Sequence, residues 1–157
     1  MVYHHNNYIY LIKAYFLIDC MNKFTWNMEK FSTSYKVIDH EHQFFVKSFN
    51  DLVDQCIDNQ VTNWEACADH LGELLAFLRK HFKAEEALLC SANAPHYQQH
   101  QQEHDLLCKS LDQALNRSRS LTDINLIMQQ LFEWMDVHLE LEAEEFRKLQ
   151  TATPTQS

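Results

Sequence analysis

Residues 71–89 read LGELLAFLRKHFKAEEALL, and the fold follows from where the apolar side chains fall. Leu71, Leu74, Leu78, His81, Glu85 and Leu88 recur three or four residues apart, so they share one stripe of a helix. The stripe is apolar until His81 and Glu85 interrupt it, on the inward face and not the solvent face. A buried carboxylate or imidazole without a partner costs several kcal/mol. Something must compensate these two groups, and a bound metal does so directly.

Working outward, the same helix extends from about Asn63 to Leu89, and three more segments repeat its pattern. The upstream segment begins near Asp39, a good N-cap type, with Glu41 in its first turn where the helix dipole favours an acid. Its stripe is His42, Phe45, Phe49, Leu52, Val53 and Cys56. A third segment follows Pro95, a residue suited to the first helical position, with the stripe His100, His104, Leu107, Leu111 and Leu115. The fourth starts after Thr122 and gives Ile124, Ile127, Leu131, Trp134, His138, Leu141 and Glu142. With Gly once and Pro twice, the chain has too few turn residues for a β-rich fold. The expectation is an all-α four-helix bundle. An arm over residues 21–38, rich in aromatics (Phe24, Trp26, Phe31, Tyr35), should cross it as a loop.

The expected domain is residues 21–150, with 151–157 a flexible tail. Residues 1–20 stand apart as an extension, either a gene-start artefact or a short docking helix. Their apolar stretch YIYLIKAYFLID, residues 8–19, is too short for a membrane span and has no cleavage site after it. The net charge of -9, with no basic helix face, argues against nucleic acid. Cys20, Cys56, Cys67, Cys90 and Cys108 form no CxxC pair and fit reduced thiols in the cytoplasm, Cys56 and Cys67 as small core residues.

The polar interruptions are spaced for metal. His81 and Glu85, His100 and His104, and His138 and Glu142 are each four residues apart, one turn along one helix face. His42 adds a fifth imidazole. If short loops make the helices alternate up and down, these side chains converge at one level of the bundle. Five imidazoles with one or two carboxylates suit iron, and zinc, copper or manganese less exclusively. His4 and His5 fall in the extension, while His40, His70 and His96 read as surface residues.

At this point the chain, over roughly residues 24–147, resembles the hemerythrins and in particular the single-domain bacteriohemerythrins. The family's aromatic arm and Ile-Asp-x-Gln-His appear as Trp26 and IDHEH, ending in His42. Its His-Phe-x-x-Glu-Glu is HFKAEE, giving His81 and Glu85. Its Tyr-Pro and HxxxH are reduced to Ala-Pro and HQQEH, giving His100 and His104, and WMDVH supplies His138. One departure matters: the family's second bridging carboxylate is an aspartate five residues after the last histidine, where this chain has Ala143. A side chain five residues on lies about 140° around a regular helix and needs a local distortion to reach the centre. Glu142, on the His138 face, is the expected substitute; the alternatives are Glu145, a turn further on, or a single carboxylate bridge.

The resemblance implies an up-down-up-down bundle and a non-haem di-iron protein that binds oxygen reversibly for storage, delivery or sensing, without being an enzyme. Two Fe ions would be joined by an oxo or hydroxo bridge, one on His100, His104 and His138 and the other on His42 and His81 with a position open to oxygen. Glu85 and Glu142 would bridge them. Phe45, Phe82, Trp134, Met135 and Leu139 would keep that position dry. The alternative readings are a di-iron oxidase or peroxidase-like enzyme and a protein handling nitric oxide or iron. The expected partner is O2 or NO, with no nucleic acid and no membrane span, in a monomer or small homo-oligomer.

Overall fold

The computed structural model describes residues 22–58 and 63–152, and the extension 1–20 and the tail from residue 153 lie outside them. The described residues form a helical bundle. Its elements are α1 (Met28–Phe31), α2 (Lys36–Val53) running into a π turn (Asp54–Asp58), α3 (Trp64–Ser91), α4 (Tyr97–Arg117) and α5 (Leu121–Ala152). Thr151 and Ala152 therefore belong to the last helix and not to the expected tail.

The helix ends follow from local hydrogen bonding. Asn63 caps α3, its side chain accepting from the backbone N–H groups of Glu65 and Ala66. The other end closes on Asn93 in the left-handed region, φ 52°. Ala94 N donates to Leu89 O at 2.9 Å and Ala92 N to Leu88 O at 3.0 Å, so carbonyls at the helix end are satisfied. This closing turn uses up the residues before Pro95. The proline therefore lies ahead of α4, with His96 at the cap, and is not the first helical residue as the sequence suggests. At α5, Ser120 Oγ accepts from Asp123 N at 3.2 Å, while Asp123 Oδ2 accepts from Arg119 N at 2.8 Å. These two bonds start the helix at Leu121, ahead of the expected Thr122.

Asp39 is not the cap of α2, which begins three residues earlier. Its carboxylate instead accepts from Thr33 N and Thr33 Oγ1, both at 2.7 Å, and from Ser32 Oγ at 2.6 Å. These bonds turn the arm back at Ser34, whose φ is 67°. The arm is also not wholly a loop, because Asn27 caps the helical turn α1. Phe24 and Phe31 are buried, with Phe24 against Phe132 at 5.4 Å between ring centroids. Asn50 fixes the strand of arm beside α2, accepting from Phe24 N at 2.8 Å and donating to Phe24 O at 2.9 Å.

The interior is in two parts. Phe49, Leu71, Leu111, Ile124, Met128 and Leu131 belong to the larger cluster, and Leu89, Ala94 and Phe146 form a smaller one. Along α3 the order is Leu71–Leu78, then His81, Phe82 and Glu85, then Leu89; along α5 it is Ile124–Met135, then His138 and Glu142, then Phe146. A polar layer therefore lies between two apolar plugs, which keep water from both of its sides. Leu141, expected on the inward stripe, is 60% exposed. The buried positions late in α5 are His138, Leu139, Glu142, Ala143 and Phe146, and residue 141 falls on the opposite side of the helix.

Candidate metal centre

All seven residues singled out from the sequence are buried and meet in the polar layer. His42, His81, His100, His104, His138, Glu85 and Glu142 are each at most 9% exposed. Glu85, fully buried on α3, is the hub. The Nε2 of His42 lies 3.0 Å from Glu85 Oε1, and His81 Nε2 contacts the same oxygen. On Glu85 Oε2 converge the Nε2 atoms of His104 at 3.5 Å, His100 at 3.9 Å and His138 at 4.0 Å. Glu142 Oε2 is 3.0 Å from His42 Nε2 and 3.5 Å from His138 Nε2, so this carboxylate touches imidazoles from both sides of the layer. Ala143 is buried and brings no donor atom.

These atoms form two groups able to hold a cation: Glu85, His100, His104 and His138, and His42, His81, Glu85 and Glu142, with ligand atoms within 4.8 Å of one another in each. The groups share Glu85. Glu145, the other acid weighed for the second bridge, belongs to neither. Its Oε2 lies 3.5 Å from the outer nitrogen, Nδ1, of His100.

The donor set fits metal on a further ground. His100 Nε2, Glu85 Oε2 and Glu142 Oε1 are buried without a hydrogen bond. Buried polar atoms are otherwise almost always satisfied. Here all three belong to residues of the two candidate donor groups.

The protein groups by themselves show the same demand for positive charge. Burial works against the charged form of His42, but the carboxylates of Glu142 and Glu85 outweigh it and push the imidazole up to about 10. Burial, reinforced by the nearby charge of Glu85, pushes the Glu142 carboxyl up to about 7. Burial also raises Glu85, yet the imidazoles around it, His81 foremost, hold it well below the usual carboxylate range. Burial lowers His104 to about 4 and His138 well below its ordinary value, so both rings are in the neutral form that could bind metal.

Aromatic rings wall the layer. Phe82 stacks on His104 with centroids 3.6 Å apart, and Trp134 stacks on His138 at 4.1 Å. Of the expected pocket residues Phe45, Phe82, Met135 and Leu139 are buried and Trp134 is half-buried. His40, His70 and His96 are exposed, as expected. Sequence reasoning missed Glu41 and Glu86. Glu41 Oε2 lies 2.8 Å from His81 Nδ1, and Glu86 Oε1 lies 3.3 Å from His104 Nδ1. The available clue was their place next to a candidate ligand, Glu41 before His42 and Glu86 after Glu85.

A buried layer of five imidazoles and two carboxylates inside four long helices defines a metal-binding helical bundle. Residues 33–149 match the family described as the Hemerythrin HHE cation binding domain. The chain belongs to the hemerythrin family. It is similar to the hemerythrin of Phascolopsis gouldii, 33% identical over 89 residues that span 57% of this chain and 68% of that protein. No solved structure matches it significantly.

Proposed function

We propose that this protein holds two iron ions and binds molecular oxygen reversibly, as a carrier, store or sensor and not as an enzyme. The observation that carries the reading is the pair of histidine-rich donor groups sharing Glu85 in a layer sealed from water. His100, His104 and His138 would hold one ion and His42 and His81 the other, with Glu85 and Glu142 spanning both. When bound, the iron pair would supply the electrons that hold oxygen and recover them on release.

The chain's own residues perform the rest. Glu85 and Glu142 offset the cationic charge. Phe82 and Trp134 brace two of the rings, and the apolar clusters on either side keep the layer dry, which discourages loss of electrons to solvent. Carboxylate-rich centres with Glu-x-x-His motifs suit oxidases and ferritin-like proteins; this set is rich in histidine. The free thiols at Cys56, Cys67, Cys90 and Cys108 suit the reducing cytoplasm, where we place the protein. No described helix is long and apolar enough to cross a membrane.

The test is to load the purified protein with ferrous iron under argon, admit air, record the visible spectrum, and return it to argon. Two irons per chain and a coloured adduct that reverses support the reading. Rapid, irreversible oxidation would assign the protein to the oxidase or peroxidase-like class instead. Nitric oxide offered in place of air separates a nitric oxide binder from an oxygen binder.

A further inference from the structure

The five Nε2 atoms face Glu85, which leaves the Nδ1 atoms facing outward. Three of them meet carboxylates. His81 Nδ1 is 2.8 Å from Glu41, His104 Nδ1 is 3.3 Å from Glu86, and His100 Nδ1 is 3.5 Å from Glu145. The shortest of these contacts has a particular construction. Glu41 and His42 are consecutive residues of α2, so one turn of that helix sends an imidazole inward and a carboxylate sideways to the ring of His81 on α3. The His42 ring, by contrast, has a buried Nδ1 with no hydrogen bond.

We infer that Glu41 is a positioning residue for the metal centre: its carboxylate accepts the Nδ1–H of His81, fixes that ring's orientation and tautomer, and leaves Nε2 free to bind metal. The inference rests on the di-iron reading and extends it to a residue outside both donor groups. An imidazole can carry its proton on either nitrogen. A carboxylate at Nδ1 holds the proton there, so the lone pair at Nε2 is available without rearrangement, and the negative charge makes that nitrogen a stronger donor. Glu86 plays the same part for His104, and it is itself held by Lys83 Nζ at 2.8 Å and Gln101 Nε2 at 3.2 Å. Glu41 is the more exposed of the two, with a side chain 31% accessible against 5% for Glu86. Replacing Glu41 therefore disturbs the packing least.

The experiment compares the full chain with Glu41→Ala and Glu41→Gln, loading each with ferrous iron under argon in competition with a chelator. The exchangeable, paramagnetically shifted imidazole N–H resonances of each loaded protein are recorded by NMR. Glu41→Ala should weaken one of the two iron sites about tenfold or more, the usual scale for losing such a partner. It should also shift or exchange away one N–H resonance while leaving the others in place. Glu41→Gln keeps an acceptor and should restore most of the affinity, with that resonance displaced from its parental position. Parental affinity and an unchanged set of resonances in Glu41→Ala would overturn the inference alone. Failure of the parent chain to take up iron would overturn the di-iron reading, and this inference with it.

Discussion

Glu142→Gln should make the metal-free protein more stable above neutral pH and the metal-loaded protein less so. The carboxyl is fully buried beside the charged Glu85, which together with burial raises it from 4.5 to about 7. A carboxyl that keeps its proton longer in the folded chain than in the unfolded one favours folding only while protonated. Its contribution is whole below about pH 4.5 and is lost as pH rises through about 7. At about 1.4 kcal/mol per pH unit, the loss reaches about 3 kcal/mol. That figure is a ceiling, because Glu142 also helps to keep His42 charged, and Gln removes that attraction. Gln has nearly the same shape and does not titrate.

Urea denaturation of the chelated proteins between pH 5 and 8.5 reads this directly. The parent should lose ground to the variant by up to about 3 kcal/mol over that range. Saturating metal should then reverse the order, since a ligand that binds only the folded state stabilises it by mass action and the variant binds it less well. A stability difference that stays constant with pH would show that Glu142 is not held neutral at neutral pH. An order that does not reverse with metal would remove Glu142 from the ligand set.

Loading with metal at pH 8 should release protons, that of His42 foremost, since its two carboxylates outweigh burial and keep the ring charged up to about 10. An indicator dye in weakly buffered solution measures this, and uptake without proton release would contradict the charge state of that ring. Asp39→Ala removes acceptors for Ser32 Oγ, Thr33 Oγ1 and Thr33 N and should cost about 2–3 kcal/mol in chemical denaturation, with the arm freed to proteolysis first. Phe49→Ala, in the larger apolar cluster, should cost about 3–5 kcal/mol, and the same assay would find the packing argument wrong if the loss were under about 1 kcal/mol. Trp134→Leu should change the absorption of the loaded centre while leaving the metal content per chain unchanged, because the ring stacks on His138 at 4.1 Å without being a donor.

The sequence alone determined the helices and which polar side chains turn inward. Periodicity placed Leu71, Leu74, Leu78, His81 and Glu85 on one stripe, and the same spacing assigned His100, His104, His138 and Glu142 to inward faces. Such assignments depend only on helix geometry, which is local. Helix starts set by caps were legible where the capping side chain acts within its own helix, as at Asn63. They were not legible at Asp39, whose carboxylate reaches back to the arm, or at Pro95, where a left-handed Asn93 shifted the start of α4. Tertiary structure alone decided which donors share an oxygen. Glu85 became the hub because α2, α4 and α5 bring their rings to the one layer of α3 where it sits, and Glu142 reached both His42 and His138. It also decided that Glu41 meets His81, a contact between two helices that no spacing along either one encodes.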